Sequence, residues 1–450
     1  MKKPVIAVFD VGKTNKKLFL FDEHYKIVFE RSARFLETED EDGFPCENLE
    51  SLRLSVFDSL HEVFRKSEFD IRAINFSTYG ASLIYVDKDG RPLTPLYNYL
   101  KPYPEELKQQ FYSKYGGEEQ FAFQTASPVL GSLNSGMQLY RIKNERPEIF
   151  KKIKFALHLP QYMSFLVSGK FYSDITSIGC HTNLWDFNKN SYHVWLKEEG
   201  LLEKLAPIVA SDTVVPATFP GNSYGVGTGL HDSSAALIPY LVSFREPFIL
   251  ISTGTWCISF NPFNNNPLTR EELQSDCLCY LQYQGSPVKA SRLFAGYEHE
   301  KEVKRIADHF NQATSKYRHI SFNPIFLKFF EDKELDQPFS NRDISSFSSD
   351  EEAYHFLMMH LVIEQKKSTD LIIENSGVKR VFVDGGFSKN SIYMNFLSYV
   401  YPDMEIFAAS MAQATAMGTA LAIHDSWNNN PLPNDLIELK FYSAPLSKES

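Results

Sequence analysis

The chain has 450 residues, enough for up to three domains of about 150 residues with large cores. Its 46 lysines and arginines and 56 aspartates and glutamates give a net charge of −10, which argues against a nucleic acid or an anionic membrane as its main partner. With 43% hydrophobic residues, the composition is typical of a globular protein and excludes intrinsic disorder.

The cysteines and the N-terminus bear on the compartment. The five cysteines are odd in number and form no Cys-x-x-Cys pair, which indicates a reducing compartment. The apolar run over residues 5–9 stops at Asp10 and is too short for a signal peptide or a membrane span. We therefore expect a cytoplasmic protein without nucleic-acid or membrane partners, as a monomer or a homodimer.

The first half of the chain begins with strand patterns and continues with helical ones. Residues 5–9, 18–21 and 26–34 predict a β-meander with a turn at 12–15. The next predicted elements are an amphipathic stretch over 49–64, a strand over 71–76, a hairpin of 84–86 with Lys88-Asp89-Gly90, and helical patterns at 105–115, 138–144 and 162–167. This order favours a mixed α/β domain.

An internal repeat is the most informative feature of the second half. A strand pattern over 248–252, a turn at Thr253-Gly254-Thr255 and a returning strand over 256–260 repeat the opening hairpin, whose turn holds Gly12 and Thr14. Gly254 lies 242 residues after Gly12. The glycine-rich stretch over 218–229 is typical of a hinge, so we predict a domain boundary near residue 221.

The chain closes with a second α/β pattern. The predicted elements are a strand over 380–383, a turn at Asp384-Gly385-Gly386, a helix over 389–400, a strand over 405–408 and a helix rich in small residues over 412–424.

The opening turn has two interpretations besides an ordinary hairpin. A Walker P-loop requires a glycine five residues before Gly12, where this chain has Ala7, and a loop where the pattern predicts a strand. A hairpin turn can still bind phosphate, because a glycine lets backbone N–H groups approach the oxygens. Thr14, Asn15 and Lys17 would add donors, and Asp10 would face a bound magnesium ion.

Two polar residues near the predicted hinge suggest other chemistry. Ser223 lies in a Gly-x-Ser-x-Gly pattern, but glycines follow it where a nucleophile elbow requires a helix. Asp232 lies at the start of a predicted helix, where an aspartate is usually a cap but could also accept a proton from a substrate hydroxyl. The helix start is expected to depress the pKa of Asp232.

A tightly bound transition metal is not expected. The sequence has no His-Glu-x-x-His, and His355 and His360 are five residues apart, the wrong spacing for one helix face. Cys277 and Cys279 are predicted to pack in a strand rather than to bind a metal.

Four segments in order resemble the FGGY carbohydrate kinases along nearly the whole chain: 10–15, 229–232, 252–256 and 384–390. Within that family, the chain looks most similar to the rhamnulokinase and related ketose kinase branch, through Thr78-Tyr79-Gly80, His231-Asp232 and Gly254-Thr255-Trp256. Four motifs in order are far more specific than any one of them.

The resemblance implies an α/β fold of two ribonuclease-H-like domains, of the actin-like ATPase type, around a central cleft. Residues 1–220 would form the N-terminal, sugar-binding lobe and residues 221–450 the C-terminal, nucleotide-binding lobe. It further implies an ATP-dependent sugar kinase that uses Mg²⁺ and a small sugar, such as the ketoses rhamnulose, fuculose or xylulose.

The resemblance also assigns site residues. It implies Asp232 as the catalytic base, Asp10 beside the metal, and contacts to the sugar from Tyr79, Gly80, His231 and Asp232. For ATP it implies a first phosphate motif at Gly12, Thr14, Asn15 and Lys17, and a second phosphate motif at Thr253, Gly254 and Thr255. The wall against which adenosine lies would be formed by Gly385, Gly386, Ser388 and Asn390.

Departures from the family pattern leave the sugar open. Lys13 stands where the family often has a small residue, and Gln413 where it often has glutamate. Residues 97–102 lack the Arg and Asp that many relatives use for sugar hydroxyls, and residues 292–298 follow the rhamnulokinase pattern only loosely. A sugar-responsive regulator without catalysis and a chaperone-type ATPase of the same superfold are the alternatives.

Overall fold

The computed structural model describes residues 2–13, 16–32, 36–219, 223–330, 337–374, 376–411, 413–433 and 435–444. The first half contains strands β1 Lys3–Val11, β2 Lys16–Asp22, β3 Ile27–Ser32, β4 Glu37–Glu39, β5 Pro45–Glu47, β6 Phe69–Thr78, β7 Leu83–Val86, β8 Phe155–His158, β9 Ser173–Asp174, β10 Trp185–Asp186, β11 Ser191–Tyr192, β12 Ile208–Val209, β13 Val214–Pro216, β14 Gly225–Gly227 and β15 Leu230–His231. Its helices are α1 Leu49–Arg65, α2 Glu105–Lys114, α3 Glu118–Thr125, α4 Ser135–Glu145, α5 Pro147–Phe150, α6 Leu159–Ser168, α7 Ile175–Ile178, α8 Val194–Glu198 and α9 Asp232–Ser243.

The second half contains strands β16 Phe248–Thr253, β17 Cys257–Asn261, β18 Cys277–Leu281, β19 Pro287–Leu293, β20 Arg380–Gly385, β21 Glu405–Ser410 and β22 Glu438–Tyr442. Its helices are α10 Arg270–Gln274, α11 Ala295–His309, α12 Asp350–Ile373, α13 Ser391–Val400 and α14 Ala414–Leu421. Within the described ranges, no helix combines the length and the apolar character that a membrane crossing requires.

Each half is built on a central sheet, and the two sheets share one pairing pattern. The first has the order β13-β14-β6-β1-β2-β3, with β15 also beside β6, and the second has the order β18-β19-β17-β16-β20-β21-β22. In the first, β1 pairs antiparallel with β2 and parallel with β6. In the second, β16 pairs antiparallel with β17 and parallel with β20. The internal repeat predicted from the two turns is therefore confirmed.

Strand β1 explains why the first sheet forms. Its residues 5–9 are apolar and fully buried, which is typical of a strand covered on both faces. Val5, Ala7 and Phe9 pack in a core that includes residues of α1 and α6. Ile6 and Val8 point to the opposite face, where they pack with residues of α9 and α14.

The hairpin predicted at residues 84–90 forms in part, but the main partner of its first strand lies elsewhere. The turn itself forms, since the Gly90 N–H donates to the Asp87 carbonyl at 3.1 Å. Strand β7, however, pairs along its whole length with β8. The residues after the turn add an isolated bridge between Val86 and Pro92 and two backbone hydrogen bonds, from Asp87 to Arg91 and from Leu93 to Tyr85, but no second strand. Proline has no N–H to donate to a ladder, so residues after the turn are poorly suited to form the second strand.

The junction between the halves lies near the first sheet. Strands β14 and β15 pair in parallel with β6, so residues 225–227 and 230–231 belong to the first sheet. Residues 220–222 lie outside the described residues, and the boundary near residue 221 stays a prediction.

Helix α14 of the second half packs closely against α9 and the first sheet. The Asn75 side-chain amide in β6 donates to the Thr419 carbonyl at 2.9 Å. A Cβ atom at Gly418 would lie 1.8 Å from the Ala235 carbonyl oxygen and 2.8 Å from its carbon. Only glycine allows the two helix backbones to approach this closely.

Replacing Gly418 with alanine tests this contact. Alanine favours an isolated helix over glycine by about 1 kcal/mol. Here we expect the opposite sign, a loss of about 1–3 kcal/mol of stability, because the backbones must move apart. Thermal unfolding of the variant measures this, with Thr415→Ala on the same helix as the control. A Gly418→Ala midpoint equal to or above that of the native protein would contradict the close contact.

Candidate functional site

The candidate site lies where the carboxyl ends of parallel strands meet, the usual position of ligand sites in α/β sheets. Asp10 is at the end of β1, Thr78 at the end of β6, and Asp232 directly follows β15. In the second sheet, Thr253 ends β16 and Gly385 ends β20.

Asp10 is a carboxylate in a poorly solvated position. Its Oδ1 accepts a hydrogen bond from the Ser77 hydroxyl at 3.1 Å. Burial and the nearby Asp232 carboxylate raise the pKa of Asp10 to about 6, although Ser77 and Lys17 oppose the rise. Lys17 lies opposite Asp10 in the β1–β2 ladder, and its Nζ is 2.5 Å from Glu30. Gly12 directly follows β1, whereas Thr14 and Asn15 lie outside the described residues.

Asp232 is the first residue of α9, after His231 as N-cap. Its Oδ1 accepts a hydrogen bond from the Ser233 N–H at 2.7 Å, and its side chain is 31% exposed. The expected depressed pKa is wrong. Burial raises the pKa of Asp232 to about 6, because the loss of hydration outweighs the bonds to Ser233 at the helix start.

His231 lies against Asp232 as a neutral imidazole. Its Nε2 is 3.1 Å from Asp232 Oδ1 and 3.1 Å from Cys180 Sγ. Burial lowers the pKa of His231 to about 3. The Tyr280 ring stacks on the imidazole with 5.7 Å between centroids. Since a Cβ at Gly80 would lie 3.1 Å from the His231 ring and 3.3 Å from Cys180 Sγ, a larger residue there would crowd both groups.

Tyr79 connects this pocket to the first turn. It is buried, and its ring lies 5.8 Å from that of Tyr99. The Lys13 ammonium is 5.4 Å from the centroid of Tyr79 and 3.7 Å from Glu47. Burial raises the pKa of Tyr79, so its hydroxyl stays protonated at neutral pH.

The second turn is exposed and tied to β20. Thr253 is buried, whereas Gly254 and Thr255 are exposed. The Thr253 hydroxyl donates to the Asp384 carbonyl at 2.5 Å and accepts from the Phe387 N–H at 3.0 Å. The two predicted nucleotide-binding segments of this half are therefore fixed to each other.

Several residues of the predicted adenosine wall make contacts that stabilise the fold. Gly385 has a φ of 91°, and a Cβ there would lie 2.1 Å from the Thr253 carbonyl oxygen. Gly386 is exposed, and the Ser388 hydroxyl donates to the Gly385 carbonyl at 2.9 Å. Asn390 caps α13 by accepting from two backbone N–H groups, and its amide donates to Tyr354 at 2.7 Å. Contacts of these residues with a nucleotide stay predictions.

The alternative motifs do not have the structural context they need. Gly12 leads into strand β2 rather than into the helix of a P-loop. Ser223 is followed by strand β14, not by the helix of a nucleophile elbow. Cys277 and Cys279 are buried in β18, where burial raises the pKa of each thiol to about 12, which favours packing.

The donor set at Asp10 fits a magnesium ion bound together with phosphates. The positive charge of Lys17 does not fully compensate the negative charges of Asp10 and Asp232, and the pKa of Asp10 is therefore raised to about 6 by burial and by Asp232. Mg²⁺ prefers oxygen ligands and is usually held by one or two carboxylates plus substrate phosphates. The described residues contain no cluster of three or more His, Cys, Asp or Glu side chains able to hold a metal.

Several residues of the pocket were missed by sequence reasoning. Cys180 and Tyr280 contact His231. Burial and the Asp232 carboxylate raise the pKa of Tyr99. Burial raises the pKa of Cys180 and of Tyr280, and the charge of Arg292 opposes that rise. None of them lies in a motif. The only sequence signals were the departures at residues 97–102 and 292–298, which contain Tyr99 and Arg292.

Family comparison agrees with the duplicated architecture. The model of the FGGY family of carbohydrate kinases, N-terminal domain, matches residues 5–237, and that of the carbohydrate kinase FGGY, C-terminal domain, matches residues 245–431. A rhamnulokinase of Halalkalibacterium halodurans is 24% identical over 270 residues, which cover 55% of this chain and 52% of the relative. An L-fuculokinase of Escherichia coli is 23% identical over 308 residues, 64% of this chain and 60% of the relative. The chain thus spans about half of the first of these relatives and three fifths of the second.

Solved structures share the fold over nearly the whole chain. A carbohydrate kinase from Novosphingobium aromaticivorans has a TM-score of 0.81 and 23% identity, covering 99% of this chain and 95% of the other. A ligand-bound xylulose kinase from Lactobacillus acidophilus has a TM-score of 0.80 and 15% identity, covering 98% and 94%. The predicted fold of two actin-like domains is confirmed.

The raised pKa of Asp10 predicts a pH-dependent stability. An unfolded aspartate titrates near pH 4, whereas folded Asp10 keeps its proton up to about pH 6, so the free energy of unfolding falls as the pH rises through this range. Asp10→Asn removes this penalty. We expect its gain in stability over the native protein to be larger at pH 8 than at pH 5, by about 1 kcal/mol.

Chemical denaturation at both pH values, without nucleotide or divalent cations, measures this difference. Asp403→Asn makes the same charge change at an exposed position and is the control. If Asp10→Asn and Asp403→Asn show the same pH dependence of the free energy of unfolding, the pKa of Asp10 is not raised in the folded protein.

Proposed function

We propose that this chain, which belongs to the FGGY family of carbohydrate kinases, transfers the γ-phosphoryl group of ATP to a hydroxyl of a small sugar. The observation that carries the proposal is the position of Asp232. It is a partly exposed carboxylate whose charge helps to raise the pKa of Asp10, and it lies beside His231, whose ring stacks on that of Tyr280 from the second half. This is where an acceptor hydroxyl and the phosphates would meet.

Asp232 would orient the acceptor hydroxyl and accept its proton. A pKa of about 6 leaves the carboxylate ionised at neutral pH while making it a stronger base than an ordinary aspartate. Phosphoryl transfer has a loose transition state, so placement of the hydroxyl in line with the phosphorus matters at least as much as basicity.

The two turns would hold the phosphates. Gly12 and the exposed Gly254 and Thr255 would offer backbone and hydroxyl donors to the oxygens, as preorganised groups that cost no reorganisation during transfer. Thr14, Asn15 and Lys17 would add donors on the first turn. Adenosine would lie along Gly385 and Gly386, whose surfaces are exposed.

Asp10 would hold Mg²⁺ together with the phosphate oxygens. When bound, this ion neutralises charge on the phosphates and thereby lowers the barrier to transfer. Binding of the cation would also relieve the repulsion between Asp10 and Asp232, because it supplies the positive charge that these carboxylates lack.

Tyr79, Gly80 and His231 would form the sugar pocket. The neutral imidazole of His231 can both donate and accept a hydrogen bond, which suits a sugar hydroxyl. The relatives named rhamnulokinase and L-fuculokinase favour a ketose as the acceptor. Thermal-shift screening of rhamnulose, fuculose and xylulose with ADP and Mg²⁺ would identify it, because a ligand stabilises the folded state it binds.

The proposed compartment is the cytoplasm. The five cysteines are all free and buried, and burial raises the pKa of the Cys180, Cys257, Cys277 and Cys279 thiols. This arrangement suits a reducing environment.

Replacing Asp232 with alanine tests the proposed catalytic role. We expect sugar-dependent ADP release to fall about 10²- to 10⁴-fold, since the base and its placement are lost together. Nucleotide binding, followed by the thermal shift with ADP and Mg²⁺, should persist because Asp232 is not placed on the phosphates.

A coupled ADP-release assay on the native protein and on Asp232→Ala measures the effect, with Asp403→Ala, the same substitution at an exposed position, as the matched control. Normal turnover in the alanine variant would remove Asp232 from the mechanism. A native protein that binds a sugar tightly but releases no ADP would instead support the sugar-responsive regulator.

A further inference from the structure

Lys13 holds its ammonium group between the first turn and the predicted sugar pocket. The Nζ atom lies 5.4 Å from the centroid of the Tyr79 ring and 5.6 Å from that of Tyr99, distances at which a cation is attracted to an aromatic face. The side chain is 32% exposed, so a ligand can reach it. The FGGY pattern often has a small residue at this position, and the proposed function gives Lys13 no role.

The counter-ion of Lys13 is shared with a second lysine. Glu47 is buried, and its Oε1 atom lies 3.7 Å from Lys13 Nζ and 3.3 Å from Lys16 Nζ. The Lys16 side chain is only 12% exposed and also donates to the Lys13 carbonyl at 3.1 Å. Stripping a buried carboxylate of its counter-ion is strongly destabilising, but Lys16 would stay beside Glu47. The Lys13 ammonium can therefore turn to another anion without leaving Glu47 unpaired.

Lys17, the cation predicted for the first turn, extends in the other direction. Its Nζ lies 2.5 Å from Glu30 of β3. The sheet order β6-β1-β2-β3 places β3 on one side of β1 and β6 on the other. Tyr79 directly follows β6, and β15, which leads to Asp232, pairs with β6. Lys13 therefore leans toward the side of the sheet that carries the proposed base, and Lys17 leans away from it.

A series of close contacts connects Lys13 to the proposed base. Its ammonium lies near the Tyr79 ring, and the next residue, Gly80, is so close to His231 that a Cβ atom there would lie 3.1 Å from the imidazole. The Nε2 atom of His231 is in turn 3.1 Å from Asp232 Oδ1. Lys13 also directly follows Gly12, whose backbone is assigned to the phosphates. Its ammonium thus lies where the first phosphate turn meets the acceptor pocket.

We propose that Lys13 is a catalytic residue whose ammonium contacts an oxygen of the γ-phosphoryl group during its transfer from ATP to the acceptor. The inference rests on the proposed function and adds a cation to it. In the step, the bond from the γ-phosphorus to the bridging oxygen of ADP breaks and a bond to the acceptor oxygen forms. The acceptor proton passes to Asp232, and Lys13 stays protonated. A positioned cation stabilises the negative charge on the equatorial oxygens of the transferring group.

An anionic group on the acceptor is the other ligand that this ammonium could bind. The position of Lys13 in the first turn, directly after Gly12, favours the γ-phosphoryl group, because that group is common to every acceptor. A contact with the acceptor would instead affect only acidic sugars, and the two cases therefore differ in how the loss of Lys13 depends on the sugar.

Replacing Lys13 with methionine tests the contact, since methionine keeps an apolar stem and removes the charge. We expect the kcat of sugar-dependent ADP release to fall about 10²- to 10³-fold, with a much smaller change in the KM of the sugar. Lys13→Arg keeps a positive charge and should recover part of the loss. Lys26→Met, the same substitution at an exposed position, is the matched control and should keep the native kcat.

The double variant Lys13→Met/Glu47→Gln separates catalysis from charge balance. If Lys13 served only as a counter-ion, removing the charge of Glu47 would restore kcat. We expect no restoration. A restored kcat in the double variant, an unchanged kcat in Lys13→Met, or a loss confined to an acidic sugar such as gluconate would each overturn the inference.

Nucleotide binding decides the matter separately from turnover. If the native protein releases no ADP with any sugar, the proposed function fails, but calorimetry with Mg²⁺ and either ADP or a non-hydrolysable ATP analogue still tests Lys13. We expect Lys13→Met to bind the triphosphate analogue about 10-fold more weakly than the native protein and to bind ADP equally well. Equal affinities of both proteins for the analogue would exclude the contact.

Discussion

The constraint on which the site depends is the proximity of two partly buried carboxylates, Asp10 and Asp232. Burial is the main cause that raises the pKa of each carboxyl to about 6. Keeping both carboxylates ionised lowers the stability of the folded protein until a cation or a proton binds to them. A rise of one unit in the pKa of a carboxyl corresponds to about 1.4 kcal/mol. The fold maintains this proximity by fixing Asp10 directly after the buried residues 5–9 of β1 and Asp232 at the start of α9.

Close backbone approach is the second requirement, and glycine meets it at particular points. Gly80 lets the chain just after β6 lie directly against the His231 ring, and Gly385 lets the end of β20 lie on the Thr253 carbonyl. In both places a Cβ atom would take up space next to the pocket or the turn. The pocket and the nucleotide-binding turns are therefore shaped by backbone as much as by side chains.

Much of the fold could be predicted because its signals are local. The apolar run at residues 5–9 and the similar turns at Gly12 and Gly254 predicted a repeated hairpin, and the resemblance to the FGGY family implied the two domains built on it. The partner of β7 could not be predicted, since β8 lies about 70 residues later and nothing in the local sequence indicates that pairing. Likewise, the pKa of Asp232 depends on burial by distant segments, whereas its position at a helix start was all the sequence could show.

Site residues that belong to a sequence motif were predicted, whereas those brought to the site only by tertiary contacts were missed. Asp10, His231 and Asp232 occur in recognisable segments, and the structure brings them together. Cys180, Tyr280 and Arg292 come from separate stretches with no shared pattern and meet only because the two halves pack against each other.

The seating of α14 on the first sheet has a consequence for how the chain acquires its structure. A polypeptide ending before α14 would expose the apolar faces of β1 and α9 that Ala416 and Ala420 cover. The two halves of the repeat are therefore not equivalent, because the core of the first half includes residues of α14 from the second half. During synthesis, this part of the first core can therefore close only after the residues of α14 have been translated.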